Sequence, residues 1–283
     1  MRLFIGVLNK MKKLVKVLSA FSLAALILGF VVSLVEKTVF LKRYDRTCIH
    51  KPYGVYEKYF KRPMDFALSL MSIILLSPVL LVTGILVRLK LGSPIIFKQL
   101  RPGKNERIFE MYKFRSMTDE RDMEGKLLPD EIRLTAFGRK LRDTSLDELP
   151  ELFNILKGDM SIVGPRPQLV RDMVFMTTEQ RKRHYVKQGL TGLAQVNGRN
   201  GISWEDKLDF DIQYIRKITL WGDFIILLRT VKNVFRREGI HTDGMATAED
   251  YGDYLLRKGR INEKEYAVGQ LEAQKIIEQG SSS

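Results

Sequence analysis

The stretch TSLDELPELFNILKGDMSIVGPRP, residues 144–167, decides the fold of the central part of this chain. Its large apolar side chains recur at helical spacing, which predicts a helix with one buried face; they are Leu146, Leu149, Leu152, Phe153 and Leu156. Pro150 is easily placed only in the first turn of a helix, so the helix should begin near residues 145–148. Ser145 and Glu148 also match a capping box, and the simplest interpretation of Glu148 is therefore a helix cap.

The adjacent carboxylates Asp147 and Glu148 would then lie at the start of that helix. A helix N-terminus offers free N–H groups and a positive dipole end, which favour a phosphate. Two carboxylates at the same point would repel that phosphate unless a divalent cation lay between them, and magnesium binds through one or two carboxylates plus phosphate oxygens. The pair therefore predicts a magnesium-assisted reaction at a diphosphate, in which one carboxylate holds the metal and the other attacks phosphorus.

The end of the stretch, GPRP, places Arg166 between Pro165 and Pro167. The prolines restrict the backbone on both sides, and a preset guanidinium is a good phosphate ligand. A structural turn with a solvated arginine explains this piece equally well. A second Gly- and Asn-rich loop, residues 189–204, carries Arg199 and is a weaker signal of the same kind.

Composition restricts the class of protein. The chain has 283 residues, 45% of them hydrophobic, which suffices for one sizeable domain with accessory segments. Its 47 Lys and Arg against 33 Asp and Glu leave a net charge of +14, which favours an anionic partner: nucleic acid, anionic lipid or a phosphorylated substrate. The single Cys48 excludes an internal disulfide framework and a Cys-rich zinc site.

Two uncharged apolar stretches, residues 17–35 and residues 66–87, predict membrane segments. The second contains Ser77-Pro78 at its middle, where proline should kink the helix. Basic residues flank this stretch on both sides, which places both its ends in the cytoplasm and predicts a re-entrant helix broken at Ser77-Pro78. A kinked spanning helix is the alternative, and the orientation of the first segment stays open.

These patterns together predict an α/β, helix-rich, membrane-associated domain with short β segments near Arg101-Pro102-Gly103 and amphipathic interfacial helices. Residues 221–237 form the clearest amphipathic pattern, which also fits a helix packed on the domain core. The expected organisation is as follows: an N-terminal extension with a hydrophobic segment (1–57), the re-entrant helix (58–90), a cytoplasmic catalytic domain (91–243) and a polar C-terminal tail (244–283).

Three motifs carry a resemblance to a known family. KFRSM, then LRDTSLDELPELFNILKGDMSIVGPRP, then GLTGLAQVNGRN follow a proline-broken apolar segment in this order. The chain resembles, over residues 59–251, the bacterial sugar transferases, that is, the monotopic polyprenyl-phosphate phosphoglycosyl transferases. The resemblance implies transfer of a sugar-1-phosphate from a UDP-sugar to undecaprenyl phosphate with release of UMP. It also implies a bacterial inner-membrane enzyme, its catalytic domain on the cytoplasmic face, that initiates synthesis of an exopolysaccharide, capsule, O-antigen or glycoprotein glycan.

The resemblance also implies residue roles. Asp147 matches the nucleophile of a covalent phosphosugar intermediate, and Glu148 matches the ligand of a Mg²⁺ cofactor. Lys113 and Arg166 match catalytic cations near the phosphates. Further positions match substrate-binding residues, and they are Arg115, Asn197, Arg199 and Asp211. Ser77 and Pro78 match the membrane-helix break.

Other hypotheses remain open at this point. The same substrates could react in a single step, with Asp147 only binding metal, or the chain could be a non-catalytic membrane-anchored scaffold that binds nucleotide sugars. A nucleic-acid partner is disfavoured by the apolar segments and by the acidic pair beside the arginine turn. The sequence does not identify the sugar, although likeness to the short family members favours an acetamido deoxysugar, and it leaves open whether the chain forms a homo-oligomer.

Overall fold

The computed structural model describes residues 15–17, 19–35, 50–198, 201–236 and 249–281. The fold is rich in helices with four short strands in these ranges. The helices are α1 (Val15–Val35), α2 (Lys61–Leu91), α3 (Asp130–Arg133), α4 (Ala136–Asp143), α5 (Glu151–Lys157), α6 (Val170–Met173), α7 (Thr178–Arg181), α8 (Leu193–Val196), α9 (Trp204–Arg216), α10 (Leu220–Arg236), α11 (Tyr251–Arg257) and α12 (Glu263–Ser281). The strands are β1 (Ile96–Pro102), β2 (Ile108–Phe114), β3 (Met160–Val163) and β4 (Gln188–Thr191).

Helices α1 and α2 are both long and apolar enough to cross a membrane, as their sequences predict. They pack against each other and run antiparallel: residues later in α1 contact residues at or near the start of α2. Phe30 stacks edge-on against Phe60 at 5.6 Å, and the hydroxyl of Ser22 lies 3.6 Å from the sulfur of Met71. The approach is closest at Gly29, where a Cβ would lie 2.6 Å from a backbone oxygen of α2, so only glycine fits.

Helix α2 stays helical through Ser77-Pro78, so the predicted break does not interrupt the secondary structure. Proline has no N–H to give to the carbonyl four residues earlier, which belongs to Ile74. The hydroxyl of Ser77 donates to that carbonyl at 2.8 Å and replaces the lost hydrogen bond. The structure therefore does not confirm a re-entrant path for α2, which stays a prediction.

One face of α2 packs along the remainder of the domain over most of its length. Near the start of the helix, Asp65 accepts hydrogen bonds from the Ser161 hydroxyl at 2.7 Å and from a backbone N–H of β3. Near its end, Val87 and Leu91 are buried against Phe114 and Leu141. The opposite face exposes apolar side chains, among them Leu75, Leu81 and Leu89. Both ends of the helix thus lie on the same domain.

The four strands form two separate pairs. Strands β1 and β2 are antiparallel, with Ile96 opposite Phe114, and this confirms the predicted hairpin. Its turn begins at Gly103, after Arg101 and Pro102, which are the last residues of β1. Strands β3 and β4 are parallel, and their ends lead into the GPRP turn and into the loop before α8.

The region predicted only as a polar tail contains two helices that pack on the domain. Tyr251 and Leu255 of α11 are buried beside Trp204, and Ala273 of α12 is buried beside Val170 of α6. Helix α10 combines both interpretations of its pattern: Ile226 is buried in the core, while neighbouring apolar side chains such as Trp221 are exposed.

Candidate active site

The acidic pair lies on a single 3₁₀ turn, Leu146–Glu148, between α4 and α5. Ser145 precedes it in the left-handed region at φ 54° and makes no side-chain cap, and α5 begins only at Glu151. The capping-box interpretation of Glu148 is therefore wrong. The turn instead directs Glu148 toward residues that are distant in the sequence.

Glu148 accepts hydrogen bonds from two cations through one oxygen. Its Oε1 lies 2.8 Å from Nζ of Lys113 on β2 and 2.5 Å from Nη2 of Arg166 in the GPRP turn. Burial by itself would raise the pKa of Glu148, but the charges and hydrogen bonds of Arg166 and Lys113 outweigh it and hold that pKa well below its usual range. Glu148 is thus a permanent carboxylate that gathers the two predicted catalytic cations.

Asp147 has the opposite environment. Its side chain is buried and makes no hydrogen bond or ion pair with any residue in the described ranges. Burial and the neighbouring charge of Glu148 raise its pKa to about 6, against the opposing charges of Lys113, Arg142 and Arg166. An unpaired carboxylate that is mostly ionised at neutral pH is the expected state of a nucleophile.

Glu151 is a third carboxylate of the site that the sequence interpretation missed. It lies at the first position of α5, almost fully buried, and its Oε1 is 3.2 Å from Nζ of Lys113. Burial and the charge of Glu148 raise its pKa to about 7. The signal was present in the sequence, since Glu151 follows Glu148 by three residues in DELPE and would share a helix face with it.

The pair opens into a cavity of about 1450 Å³ whose lining holds more cationic than acidic side chains. Its lining includes, besides the residues already named, the cations Arg101, Arg115, Arg133, Arg139, Arg171 and Lys207. Part of the wall is apolar and comes from the exposed helices: Leu76 of α2 and Leu227, Val231 and Val234 of α10. One cavity therefore connects the charged centre to the apolar helices.

Arg115 lines this cavity, but its guanidinium already has protein partners. It donates to the carbonyl oxygens of Ser93 at 2.6 Å and Met117 at 2.8 Å, and it pairs with Asp119 at 2.6 Å. These contacts hold the loops before β1 and after β2. The predicted role in substrate binding stays a prediction.

Asp211 also lines the cavity, and the structure gives it a partner that sequence reasoning missed. Its carboxylate pairs with fully buried Arg183 at 2.7 Å, and Arg183 donates to the backbone carbonyl of Arg166 at 2.5 Å. Asp211 therefore supports the arginine turn through Arg183. Nothing in the local sequence around Arg183 marks it for this contact, because its partners lie 17 and 28 residues away.

Of the two predicted substrate-binding residues in the second Gly- and Asn-rich loop, the structure describes only Asn197. Asn197 is exposed and donates to the carbonyl of Leu193 at 2.8 Å, so it ends α8, and it is not part of the cavity lining. Arg199 lies outside the described residues. Their proposed contact with the nucleotide is therefore untested.

The donor set at the pair fits a magnesium ion that takes its other ligands from substrate and water. Both oxygens of Asp147 and Oε2 of Glu148 are free of Lys and Arg partners within the described ranges, and such carboxylate oxygens are what magnesium prefers. The same ranges contain no group of three or more His, Cys, Asp or Glu that could bind a metal without substrate.

Comparison with known proteins identifies the class to which this fold and site belong. The bacterial sugar transferase family model matches residues 56–237. The chain is 49% identical over 191 residues to the uncharacterized sugar transferase EpsL of Bacillus subtilis, a match that covers 68% of this chain and 95% of EpsL. The chain belongs to the bacterial sugar transferase family, which confirms the resemblance drawn from its motifs.

Two other relatives carry more specific names. The undecaprenyl-phosphate galactose phosphotransferase of Salmonella typhimurium is 38% identical over 65% of this chain. The UDP-glucose:undecaprenyl-phosphate glucose-1-phosphate transferase of Klebsiella pneumoniae is 41% identical over 61% of it. The matches cover only 42% and 39% of those longer proteins. The two relatives are about equally similar to this chain, but their names give different sugars. Sequence similarity at this level therefore does not identify the sugar.

Proposed function

We propose that this protein transfers a sugar-1-phosphate from a UDP-sugar to undecaprenyl phosphate, releases UMP and thereby starts assembly of a surface glycan. One observation carries the proposal. Asp147 is an unpaired, mostly ionised carboxylate, and beside it Glu148 holds two cations at hydrogen-bond distance. A free nucleophile next to fixed positive charges suits attack on a diphosphate.

In the first step, an oxygen of Asp147 attacks the β-phosphorus of the UDP-sugar. The bond between that phosphorus and the bridging oxygen breaks, and its electron pair leaves with UMP. The product is an acyl phosphate that joins Asp147 to the sugar-phosphate. Lys113, Arg142 and Arg166 lie close enough to Asp147 to lower its pKa, and they would offset the charge that develops on the phosphoryl oxygens.

In the second step, a phosphate oxygen of undecaprenyl phosphate attacks the same phosphorus. The bond to Asp147 breaks and returns its carboxylate, and the product is the undecaprenyl diphosphate sugar. The acceptor phosphate is ionised at neutral pH, so the step needs no general base. The apolar part of the cavity wall, from α2 and α10, supports entry of the acceptor from the lipid side.

A magnesium ion, when bound, would supply further charge neutralisation at the phosphates. Because Oε1 of Glu148 accepts from Lys113 and Arg166, we assign Oε2 of Glu148 to the metal. This assignment leaves Asp147 available as the nucleophile.

The proposal places the protein on the cytoplasmic face of the bacterial inner membrane. The exposed apolar face of α2, continued by Trp221 and Leu228 of α10, supports burial in lipid, and the net charge of +14 supports binding to anionic headgroups. Because both ends of α2 pack on one domain, a path that enters and leaves a single leaflet explains the contacts better than a full crossing does.

The test is the intact mass of the detergent-purified protein after incubation with magnesium and a panel of UDP-sugars, without lipid acceptor. We expect an added sugar-phosphate mass with at least one donor, absent in Asp147→Asn and retained in the matched control Asp209→Asn, an exposed position on α9. If UMP appears only when undecaprenyl phosphate is supplied, and no adduct is ever detected, the two-step route is wrong and the transfer is direct. No UMP with any donor and acceptor would overturn catalysis in favour of a scaffold.

A further inference from the structure

We infer that Arg101 and Lys207 form an anion subsite, next to the acidic pair, that holds the phosphate group of the departing nucleotide. The inference rests on the proposed function. It adds a binding site for a phosphate monoester and assigns it two residues that lie outside the three motifs.

The first observation is that Arg101 lacks an anionic partner. It is the penultimate residue of β1 and lines the cavity, and its guanidinium donates to one side chain, Oε1 of Gln99, at 2.6 Å. Its Nε is buried and has no hydrogen-bond acceptor among the described residues. Burial lowers its pKa to about 10, and the charges of Arg166 and Arg171 add to that effect.

The second observation is that Lys207 lacks an anionic partner as well. It projects from α9 into the same cavity, and within the described part of the chain its ammonium makes no hydrogen bond or ion pair. The ammonium lies over the ring of Trp204, 5.3 Å from its centroid. Burial lowers its pKa, and the charge of Arg166 lowers it further.

The acidic side chain whose charge acts on both cations, Asp172, is already used elsewhere. Asp172 accepts from the backbone N–H of Leu169 and from that of Tyr251, each at 2.9 Å. Its charge raises the pKa of Arg101 and that of Lys207, but it does not reverse the lowering of either. Half-buried cations without a direct counter-charge are costly, and an anion placed between them would remove the cost.

The position of the two cations indicates which anion. Glu148 holds Arg166 by a hydrogen bond beside Asp147, and Arg166, Arg101 and Lys207 all line the cavity into which the acidic pair opens. A diphosphate whose reacting phosphorus lies at Asp147 would extend past Arg166, and its second phosphate would reach Arg101 and Lys207. That second phosphate leaves with the nucleotide.

The experiment measures UMP binding to the full-length, detergent-solubilised protein with magnesium, with uridine as a competitor that lacks the phosphate. We expect Arg101→Gln and Lys207→Gln each to weaken UMP binding by about 10-fold or more, the loss of one charge-assisted hydrogen bond, with uridine competition unchanged. Arg101→Lys and Lys207→Arg, which keep the charge, should retain most of the affinity. Lys98→Gln, an exposed position on the same strand as Arg101, is the matched control.

A second arm separates the two phosphate sources. Isolated wild-type and variant adducts are discharged with undecaprenyl phosphate in the absence of nucleotide, and we expect rates within about twofold of each other. Slower discharge with unchanged UMP binding would assign the subsite to the lipid phosphate and overturn our inference. Equal loss of UMP and uridine affinity would also overturn it, because it would indicate misfolding or a base contact. UMP binding needs no turnover, so this result is independent of whether the wild type forms an adduct.

Discussion

At the scale of single residues, the site separates two adjacent carboxylates by their partners. Glu148 accepts hydrogen bonds from Lys113 and Arg166 and stays ionised, whereas Asp147 has no hydrogen-bond or ion-pair partner in the described part of the chain and a raised pKa. The difference arises because burial disfavours the ionised form of both carboxylates, and of the two only Glu148 accepts hydrogen bonds from described residues that offset this cost. Divergent pKa values in neighbouring groups are a mark of divided roles in catalysis.

The raised pKa of Asp147 predicts an acid limb in adduct formation. Only the ionised carboxylate attacks phosphorus, so the single-turnover rate should rise with pH through a midpoint near 6 and level off above it. A bound divalent cation favours the ionised form and would move the midpoint down, not up. The acid limb should persist in Glu151→Gln. Glu151 is the other carboxyl of the site that titrates in this range, so a limb that survives its replacement belongs to Asp147. A rate that still climbs between pH 7 and 8 would contradict the assignment.

The two glutamates should respond differently to the same substitution. Glu148→Gln removes the charge that positions Lys113 and Arg166, and we expect adduct formation to fall by about 100-fold, the usual cost of one electrostatic contribution. Glu151→Gln replaces a carboxyl that is largely protonated near pH 6, so we expect a change below about threefold there. The measurement is the single-turnover rate at pH 6, and similar losses in the two variants would refute the distinction.

At the scale of elements, local bonding explains how α2 continues through a proline. The carbonyl of Ile74 loses its helical partner at Pro78, and the hydroxyl of Ser77 donates to it instead. The predicted break was based on the proline and on the basic residues that flank the stretch at both ends. The compensating hydroxyl lies one residue away, so the dipeptide Ser77-Pro78 has to be interpreted as a unit.

This pairing predicts energetic coupling between Ser77 and Pro78. Ser77→Ala should lower the free energy of unfolding by about 1–3 kcal/mol, because it leaves the Ile74 carbonyl unsatisfied. The same change made together with Pro78→Ala should cost much less, because alanine restores the backbone N–H. The check is a double-mutant cycle on thermal stability in detergent, and equal costs in both backgrounds would exclude the compensation.

At the scale of the whole molecule, the C-terminal helices close the fold over α6 and the hairpin. Gly269 of α12 lies against the ring of Phe175, where a Cβ would come within 2.4 Å. Phe175 also stacks on Tyr266 at 5.8 Å. These helices lie beyond the part of the chain that the family model matches, yet they bury residues next to the cavity-lining helix α9.

Close packing at Gly269 predicts a local and strong effect of side-chain size. Gly269→Leu should lower the free energy of unfolding by about 1–3 kcal/mol or more, because the new side chain cannot share space with Phe175. Val268→Leu, at the neighbouring exposed position, is the control and should change stability by less than about 0.5 kcal/mol. Equal melting temperatures of the two variants would show that α12 does not pack on Phe175 in this way.

The sequence by itself determined the features that depend on neighbours along the chain. The acidic pair before a helix, the rigid arginine turn, the hairpin and the two apolar helices follow from periodicity and from the restricted backbone of proline. The family follows from the spacing of the motifs.

Only the tertiary structure decided which side chains meet. It gave Glu148 its partner Lys113, 35 residues away, and it changed the meaning of Glu148 from a cap to an anchor for cations. It also brought Asp211 to Arg183, left Arg101 and Lys207 without an ion-pair partner among the described residues, and docked α12. The physical reason is that such contacts depend on burial and packing between distant segments, about which local propensity and pattern carry no information.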